Sequence, residues 1–233
     1  MSTADADDVL RQTVITGCRE LSCLGLSYGT SGNVSVRRDA RAFFISPTGR
    51  SYETLEPEDV ALTDLEGQWY GRSRPSSEWR FHRDIYAARA EVGAIVHAHP
   101  RYATALACTG RGIPAFHYMI AVAGGEDIRC APYHTFGSQA LSDAALAALG
   151  GRRACLLAHH GIIALGHDLA AALRLAGEVE NLAAQYCTAL TIGGVRMLES
   201  AEMARVLEKF RSYGRADDRD PQLRHAGESL PPR

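Results

Sequence analysis

Ala94-Ile95-Val96-His97-Ala98-His99-Pro100 carries the reading of the fold and of the chemistry together. Its opening residues are apolar and partly β-branched, as a buried strand requires, and Pro100 ends the ladder because it has no N–H to donate. Side chains alternate along a strand, so His97 and His99 project from one face with their bases about 7 Å apart. Two imidazoles placed in that way can converge on one ion, although the same spacing also fills strand faces with histidines that hold a single hydrogen bond. A second apolar run, Ala154-Cys155-Leu156-Leu157-Ala158-His159-His160-Gly161, reads as another buried strand that Ile162-Ile163-Ala164-Leu165 continues. Adjacent strand residues face opposite ways, so only one of His159 and His160 can join the first pair; the other is left to a supporting role. Three imidazoles with one carboxylate or water satisfy a tetrahedral zinc, and the lack of cysteine in the motif disfavours a purely structural site.

Working outward, Val9, Leu10, Val14, Ile15, Cys18, Leu21 and Leu24 recur at helical spacing, which predicts an amphipathic helix from about Asp8 to Gly25. Hairpins are expected from Val34-Ser35-Val36 with Phe43-Phe44-Ile45, and from Val60-Ala61-Leu62-Thr63 with Gln68-Trp69-Tyr70. Helices are expected from Glu78 through Arg89, from Pro100 through Ala107, from Asp168 to about Leu190 and from Ser200 to Ser212. In the third, Leu169, Leu173, Ala176, Val179, Leu182, Ala183 and Tyr186 form the apolar face. Residues 1–7 read as a flexible start, 8–214 as one mixed α and β domain, and 215–233, rich in charge, Gly and Pro, as a disordered tail.

The chain has 233 residues with 25 basic and 27 acidic side chains, a formal net charge of −2, so neither the total nor any run supplies the basic excess of a nucleic-acid binder. No apolar stretch approaches the roughly 20 residues that cross a bilayer, and the acidic N-terminus does not resemble a secretory signal; a cytoplasmic protein without membrane partners is expected. The six cysteines contain no Cys-x-x-Cys pair and read as reduced, mostly buried thiols. Lys209 is the only lysine, so Schiff-base chemistry has one candidate, and its amphipathic surroundings mark it as a solvated charge.

The carboxylate for the metal, or the base, is best supplied by Glu78 in Pro75-Ser76-Ser77-Glu78-Trp79-Arg80-Phe81-His82, although a glutamate in a helix's first turn also simply complements the dipole. Three loops, Gly29-Thr30-Ser31-Gly32-Asn33, Ser46-Pro47-Thr48-Gly49 and Pro75-Ser76-Ser77, offer hydroxyls and closely approachable N–H groups. The third adds a helix N-terminus, where phosphate is well received. None matches a Walker loop, and each could also be only a turn.

Taken together, these motifs resemble the class II aldolase family, over roughly Leu21 to Gly214 and in the family's order. Ile113-Pro114-Ala115-Phe116-His117-Tyr118-Met119-Ile120-Ala121, Cys130-Ala131-Pro132-Tyr133 and Val206-Leu207-Glu208-Lys209-Phe210-Arg211-Ser212-Tyr213-Gly214 are most similar to its fuculose-phosphate aldolase branch. The resemblance implies an α/β fold, a three-layer α/β/α sandwich around a mostly antiparallel central sheet, assembled as a homotetramer with sites at subunit interfaces. It implies one zinc ion (Zn2+) per subunit held by Glu78, His97, His99 and His160, with Glu78 also the catalytic acid/base. Gly32, Asn33, Thr48, Gly49, Ser76 and Ser77 become the phosphate cradle. Tyr118, from a neighbouring subunit, becomes the proton donor at the aldehyde end, and Phe136 and Tyr213 shape the aldehyde pocket or its C-terminal lid. The implied reaction is reversible cleavage of a ketose 1-phosphate, L-fuculose 1-phosphate in the first place, to dihydroxyacetone phosphate and L-lactaldehyde. His134 departs from the smaller residue expected in that branch, which leaves room for related deoxyketose phosphates. The pentulose-5-phosphate 4-epimerase branch is disfavoured by Glu78-Trp79-Arg80, a methylthioribulose-phosphate dehydratase would eliminate water instead, and an adducin-like interaction domain would have no need of three histidines and Glu78.

Overall fold

The computed structural model describes residues 3–212. Helix α1 (Thr3–Cys23) leads into a hairpin of β1 (Asn33–Arg37) and β2 (Ala42–Ile45), and a second hairpin of β3 (Ala61–Asp64) and β4 (Trp69–Tyr70) follows. Next come α2 (Trp79–Ala88), β5 (Ala94–Ala98) and α3 (Arg101–Cys108), then a 3-10 helix at Tyr118–Ala123, β6 (Cys130–Ala131) and α4 (Gln139–Ala148). The chain closes its sheet with β7 (Ala154–Leu157) and β8 (Gly161–Gly166) before the long α5 (Leu169–Thr191) and α6 (Ser200–Ser212). The eight strands lie in the order β4-β3-β2-β1-β5-β8-β7-β6, and every pairing is antiparallel except β6 with β7.

Alternation along the central strands builds two cores, one on each face of the sheet. Val34, Val36, Phe44, Ala94, Val96, Ala98, Ile162 and Ala164 face one way, onto Val14, Ile15, Cys18 and Leu21 of α1 and Leu173, Ala176, Val179 and Leu182 of α5. Phe43, Ile45, Ile95, Cys155, Leu157, Ile163 and Leu165 face the other way, onto Phe81, Ile85 and Tyr86 of α2 and Leu141 and Ala145 of α4. The result is the expected three-layer α/β/α sandwich around a mostly antiparallel sheet. Because strands buried on both faces need no polar side, β5 and β8 read as continuous apolar runs, and each fully buried Phe or Ile contributes about 1.5–3 kcal/mol. His97 occupies an odd position of β5 and so lies on the α2 face, edge-on to Phe81.

Three helix N-termini find side-chain acceptors. Ser138 and Asp168 accept from the backbone N–H groups of Leu141 and Ala171 to cap α4 and α5. The Glu180 carboxylate of α5 receives the first free N–H groups of α3, from Tyr102 and Ala103. No helix among the described residues is long and apolar enough to cross a membrane.

Four sequence expectations change. Helix α1 begins at Thr3 rather than near Asp8, and Asp7 forms an ion pair with Arg38 at 2.7 Å, so residues 3–7 belong to the folded helix. Val9 and Leu24, counted in its apolar stripe, are exposed. Of the six cysteines only Cys18 and Cys155 are buried, because the others sit at helix rims and near the sheet edge. The segment from Ala154 to Gly161 is not one strand: it stops at Leu157 and turns back on itself into β8. Tyr213 and the tail lie outside the described residues.

Candidate active site

Three histidines meet at one end of the β5/β8 pair. His97 is fully buried, and its Nδ1–H donates to the carbonyl of Ile162 on β8 at 2.8 Å, which fixes the tautomer with the Nε2 lone pair facing inward. His99 follows β5 and brings its Nε2 to 2.9 Å from that of His97. His160 arrives differently from the expectation, through the tight reversal between β7 and β8. There His159 adopts φ 55°, the left-handed region that non-glycine residues seldom occupy, and donates its N–H to the carbonyl of Ala107. Turn geometry, not strand alternation, therefore sends His160 to the cluster. The next residue must be glycine: a Cβ at Gly161 would sit 2.3 Å from the Ala98 carbonyl oxygen and 2.6 Å from His99 Cδ2. The three ring centroids form a near-equilateral triangle with sides of 4.8, 4.8 and 5.0 Å.

Glu78 completes the group. It occupies the N-cap position of α2, yet its side chain caps nothing; it is 5% exposed and turned toward the histidines, which removes the dipole-complement reading. Its Oε2 lies 3.0 Å from His97 Nε2 and accepts from Asn33 Nδ2 at 3.0 Å. Its Oε1 lies 3.2 Å from His160 Nε2 and receives no hydrogen bond although it is buried. Burial pushes this carboxyl up, but the neighbouring His97 and His160 rings and the Asn33 amide outweigh it and bring the pKa down to about 2. Burial lowers His99 to about 3 and His160 to about 4, so both rings stay neutral at pH 7 and keep a lone pair for coordination.

One ligand atom from each of Glu78, His97, His99 and His160 lies within 4.8 Å of the other three. Inward lone pairs and an orphaned carboxylate oxygen so close together repel unless a cation lies among them, and three imidazoles with a carboxylate suit a first-row divalent ion. The four residues thus fit the metal expected of them.

Beside this group opens a cavity of about 360 Å³, lined by all three polar loops as well as by Glu78, His99 and His160. The loops are tied to one another. Ser76 N–H donates to Ser46 O, Thr48 N–H to Arg74 O, and Val34 N–H to Ser46 Oγ. Gly49 turns at φ 66° with open space around it, which leaves its backbone approachable. Gly32 is required for a different reason: a Cβ there would meet Ser27 Oγ at 2.6 Å and the His97 carbonyl at 2.9 Å. Of the six residues expected in the cradle, all line the cavity. Asn33 departs in detail, because its amide already serves Glu78 and His82 and retains one free N–H at most.

Phe136 and His134 stand at the cavity, as expected, and are joined by Tyr133 and His159, which sequence reasoning did not place there. The αL turn that swings His159 onto the cavity wall carries no sequence signal beyond its neighbour Gly161. Tyr118 is not among the residues lining the cavity of its own chain. It is half exposed at the start of the 3-10 helix, its ring parallel to that of Phe210 in α6 with centroids 6.5 Å apart.

Known proteins resemble this chain over most of its length. Residues 12–187 match the model of the class II aldolase and adducin N-terminal domain. The chain is 54% identical over 205 residues to a 5-methylthioribulose-1-phosphate/5-deoxyribulose-1-phosphate aldolase of Rhodospirillum rubrum, covering 88% of this chain and 92% of that one. It is 48% identical over 206 residues to the L-fuculose phosphate aldolase of Escherichia coli K12, covering 88% and 95%. A solved L-fuculose 1-phosphate aldolase superposes with a TM-score of 0.84 at 41% identity, covering 87% of this chain and 96% of the other. The protein, with a family match across most of its length and a sandwich that carries three histidines and a glutamate beside three polar loops, belongs to the class II aldolase and adducin N-terminal domain family.

Proposed function

We propose that the protein catalyses reversible aldol cleavage of a ketose 1-phosphate to dihydroxyacetone phosphate and a short aldehyde, with zinc as its metal. The observation that carries this reading is the convergence of Glu78, His97, His99 and His160 with the three polar loops on one cavity. An adducin-like interaction domain would have no use for that set. Bound by these four residues, the ion supplies Lewis-acid stabilisation of negative charge developing on substrate oxygens.

The protein's own groups do the rest. Backbone N–H and hydroxyl groups around Gly32, Thr48, Gly49, Ser76 and Ser77 bind the phosphate and hold the reacting carbons in place, so binding energy becomes orientation. In the condensation direction Glu78 takes a proton from C3 of dihydroxyacetone phosphate. Its Oε1, which accepts no hydrogen bond, is the oxygen available for that proton, while Asn33 holds Oε2. In the cleavage direction the C4 hydroxyl loses its proton, the C3–C4 bond breaks, and the electron pair remains on the dihydroxyacetone phosphate fragment as an enediolate, which is reprotonated at C3. Tyr118 of a neighbouring subunit in a homotetramer exchanges the proton at the aldehyde oxygen; half exposure of Tyr118, away from its own cavity, supports a role at another subunit. Lys209, exposed on α6, takes no part.

The aldehyde end faces Tyr133, His134 and Phe136. L-Fuculose 1-phosphate, which releases L-lactaldehyde, is the substrate the sequence suggested. The relative at 54% identity favours a second reading, 5-deoxyribulose or 5-methylthioribulose 1-phosphate, which would release acetaldehyde or its methylthio derivative. All three aldehydes end in an apolar carbon that suits the aromatic rim. Cleavage rates across these three substrates, with the aldehyde identified, test the proposal: failure to cleave any of them, with metal bound, would refute it.

A further inference from the structure

A buried row of polar side chains runs from the Glu78 carboxylate into the protein interior. Asn33 Nδ2 lies 3.0 Å from Glu78 Oε2, and Asn33 Oδ1 lies 2.5 Å from His82 Nε2. On the far side of the ring, His82 Nδ1 is 2.7 Å from Ser35 Oγ, which is 2.9 Å from the Tyr86 hydroxyl. The two elements generate this row through their periods. Asn33 and Ser35 are alternate residues of β1, on one face of the sheet; Glu78, His82 and Tyr86 are spaced by four along α2 and lie one above another. Asn33, Ser35, His82 and Tyr86 are each at most 3% exposed, so water does not substitute for any link.

Donor and acceptor roles in the row are forced. An ionised carboxylate only accepts, so Asn33 must present its NH2 to Glu78 and its carbonyl to His82. That makes His82 Nε2 the protonated nitrogen and Nδ1 an acceptor, which takes the Ser35 hydroxyl proton; Ser35 Oγ in turn accepts from Tyr86. Burial lowers the His82 pKa to about 3, in keeping with a neutral ring. Every hydrogen bond therefore points the same way, toward Glu78, and such an aligned chain polarises its members in concert. An Asn33 flip would set carbonyl against carboxylate, and a His82 ring flip would put ring carbons where Asn33 and Ser35 now meet nitrogens.

We infer that His82 is a positioning residue: acting through Asn33, and held by Ser35 and Tyr86, it fixes the Glu78 carboxylate in the orientation that both metal binding and C3 proton transfer require. The inference deepens the proposed function, and the metal-binding part of it can be tested without turnover.

The test is a double-mutant cycle on cobalt(II) and zinc affinity, measured by chelator competition, with His82→Phe made in the wild-type and the Glu78→Gln backgrounds. In the wild type His82→Phe is expected to weaken metal binding by about 10- to 100-fold. His82→Gln, which offers an amide donor and acceptor in place of the ring nitrogens, is expected to recover most of that loss. In the Glu78→Gln background His82→Phe should add less than about twofold, because the group it acts through is already altered. Tyr86→Phe, which removes only the last hydroxyl, should show a smaller loss of the same sign that also vanishes with Glu78→Gln; it carries the test should His82→Phe fail to fold. Equal losses in both backgrounds, or undiminished affinity in the folded single variants, would overturn the inference. If no ketose phosphate is cleaved yet the metal cycle shows coupling, the aldolase reading fails and the role of His82 in seating Glu78 for the metal stands.

Discussion

Replacing Gly161 by alanine adds one methyl group where β5, β8 and His99 meet. The new carbon would lie 2.3 Å from the Ala98 carbonyl oxygen and 2.6 Å from His99 Cδ2, against an ordinary contact near 3.4 Å or more. Neither neighbour yields easily. Ala98 is held in register by its pairing with Ile162, and the His99 ring is confined by His97 and His160. Overpacking of this kind costs about 1–3 kcal/mol, and the upper half of that range applies because a backbone atom is struck. For a domain of this size each kcal/mol lowers Tm by roughly 2–4 °C, so the metal-free protein should lose roughly 4–12 °C. A displaced His99 is also a lost or misdirected ligand. A tenfold weaker metal affinity removes about 1.4 kcal/mol from the saturated protein, or roughly 3–6 °C more. The assay is thermal unfolding of wild type and Gly161→Ala, each with excess zinc and with excess chelator. The expected pattern is a lower Tm in both conditions and a narrower gap between them. An alanine variant with wild-type Tm and an unchanged gap would refute the argument that close approach at Gly161 seats His99.

Glu78→Gln should keep metal on the three histidines while C3 proton exchange of dihydroxyacetone phosphate falls by about 10²- to 10⁴-fold; normal exchange by NMR would remove Glu78 from the base role. Asp59 is fully buried and receives Arg50, Arg72, Ser73 and the Glu56 N–H, so Asp59→Asn should cost about 1–3 kcal/mol in denaturant unfolding. Burial raises its pKa but these donors outweigh it and leave it lowered. The carboxylate's contribution is therefore complete above the unfolded value near 3.9 and fades as pH falls through the lower folded value. The gap between wild type and variant should be flat from pH 8 to 5 and close below about pH 4; a gap that widened in acid would contradict the sign. Lys209→Ala should turn over at near the wild-type rate, and borohydride should trap no substrate on the wild-type protein, whereas trapping at Lys209 would point to a Schiff-base aldolase. Complete metal removal should abolish cleavage and re-addition should restore it, measured by dihydroxyacetone phosphate release.

Periodic signals were the legible ones. The two-residue spacing of His97 and His99 put them on one face, and the helical stripe of α5 from Leu169 to Tyr186 is buried as its spacing predicted. Helix α4 went unread because Gln139–Ala148 is rich in alanine, with little contrast between its faces, and two-residue β6 is too short to leave a pattern. The apolar run through Ala154–Leu157 and into β8 hid a reversal, since a chain buried on both faces looks the same whether it continues or turns back. Glycine was the one clue: Gly161 follows His159 and His160 where the chain must make both its αL turn and its closest approach to β5.

Residue types and local periods of two and 3.6 by themselves marked the central strands, most of the helices, the polar loops and the candidate histidines, and the family resemblance added the sandwich and the metal. Only the tertiary structure decided which atoms face one another. The route by which a turn rather than strand alternation brings His160 to the group, the turning of Glu78 away from its helix end, and the capture of Asn33 by Glu78 and His82 all depend on how β1, β5, the β7–β8 reversal and α2 are packed at one end of the sheet. These contacts join residues 45 to 82 positions apart. Local sequence holds no term for such distances, and they are set by burial and by the requirement that every polar atom so buried find a partner.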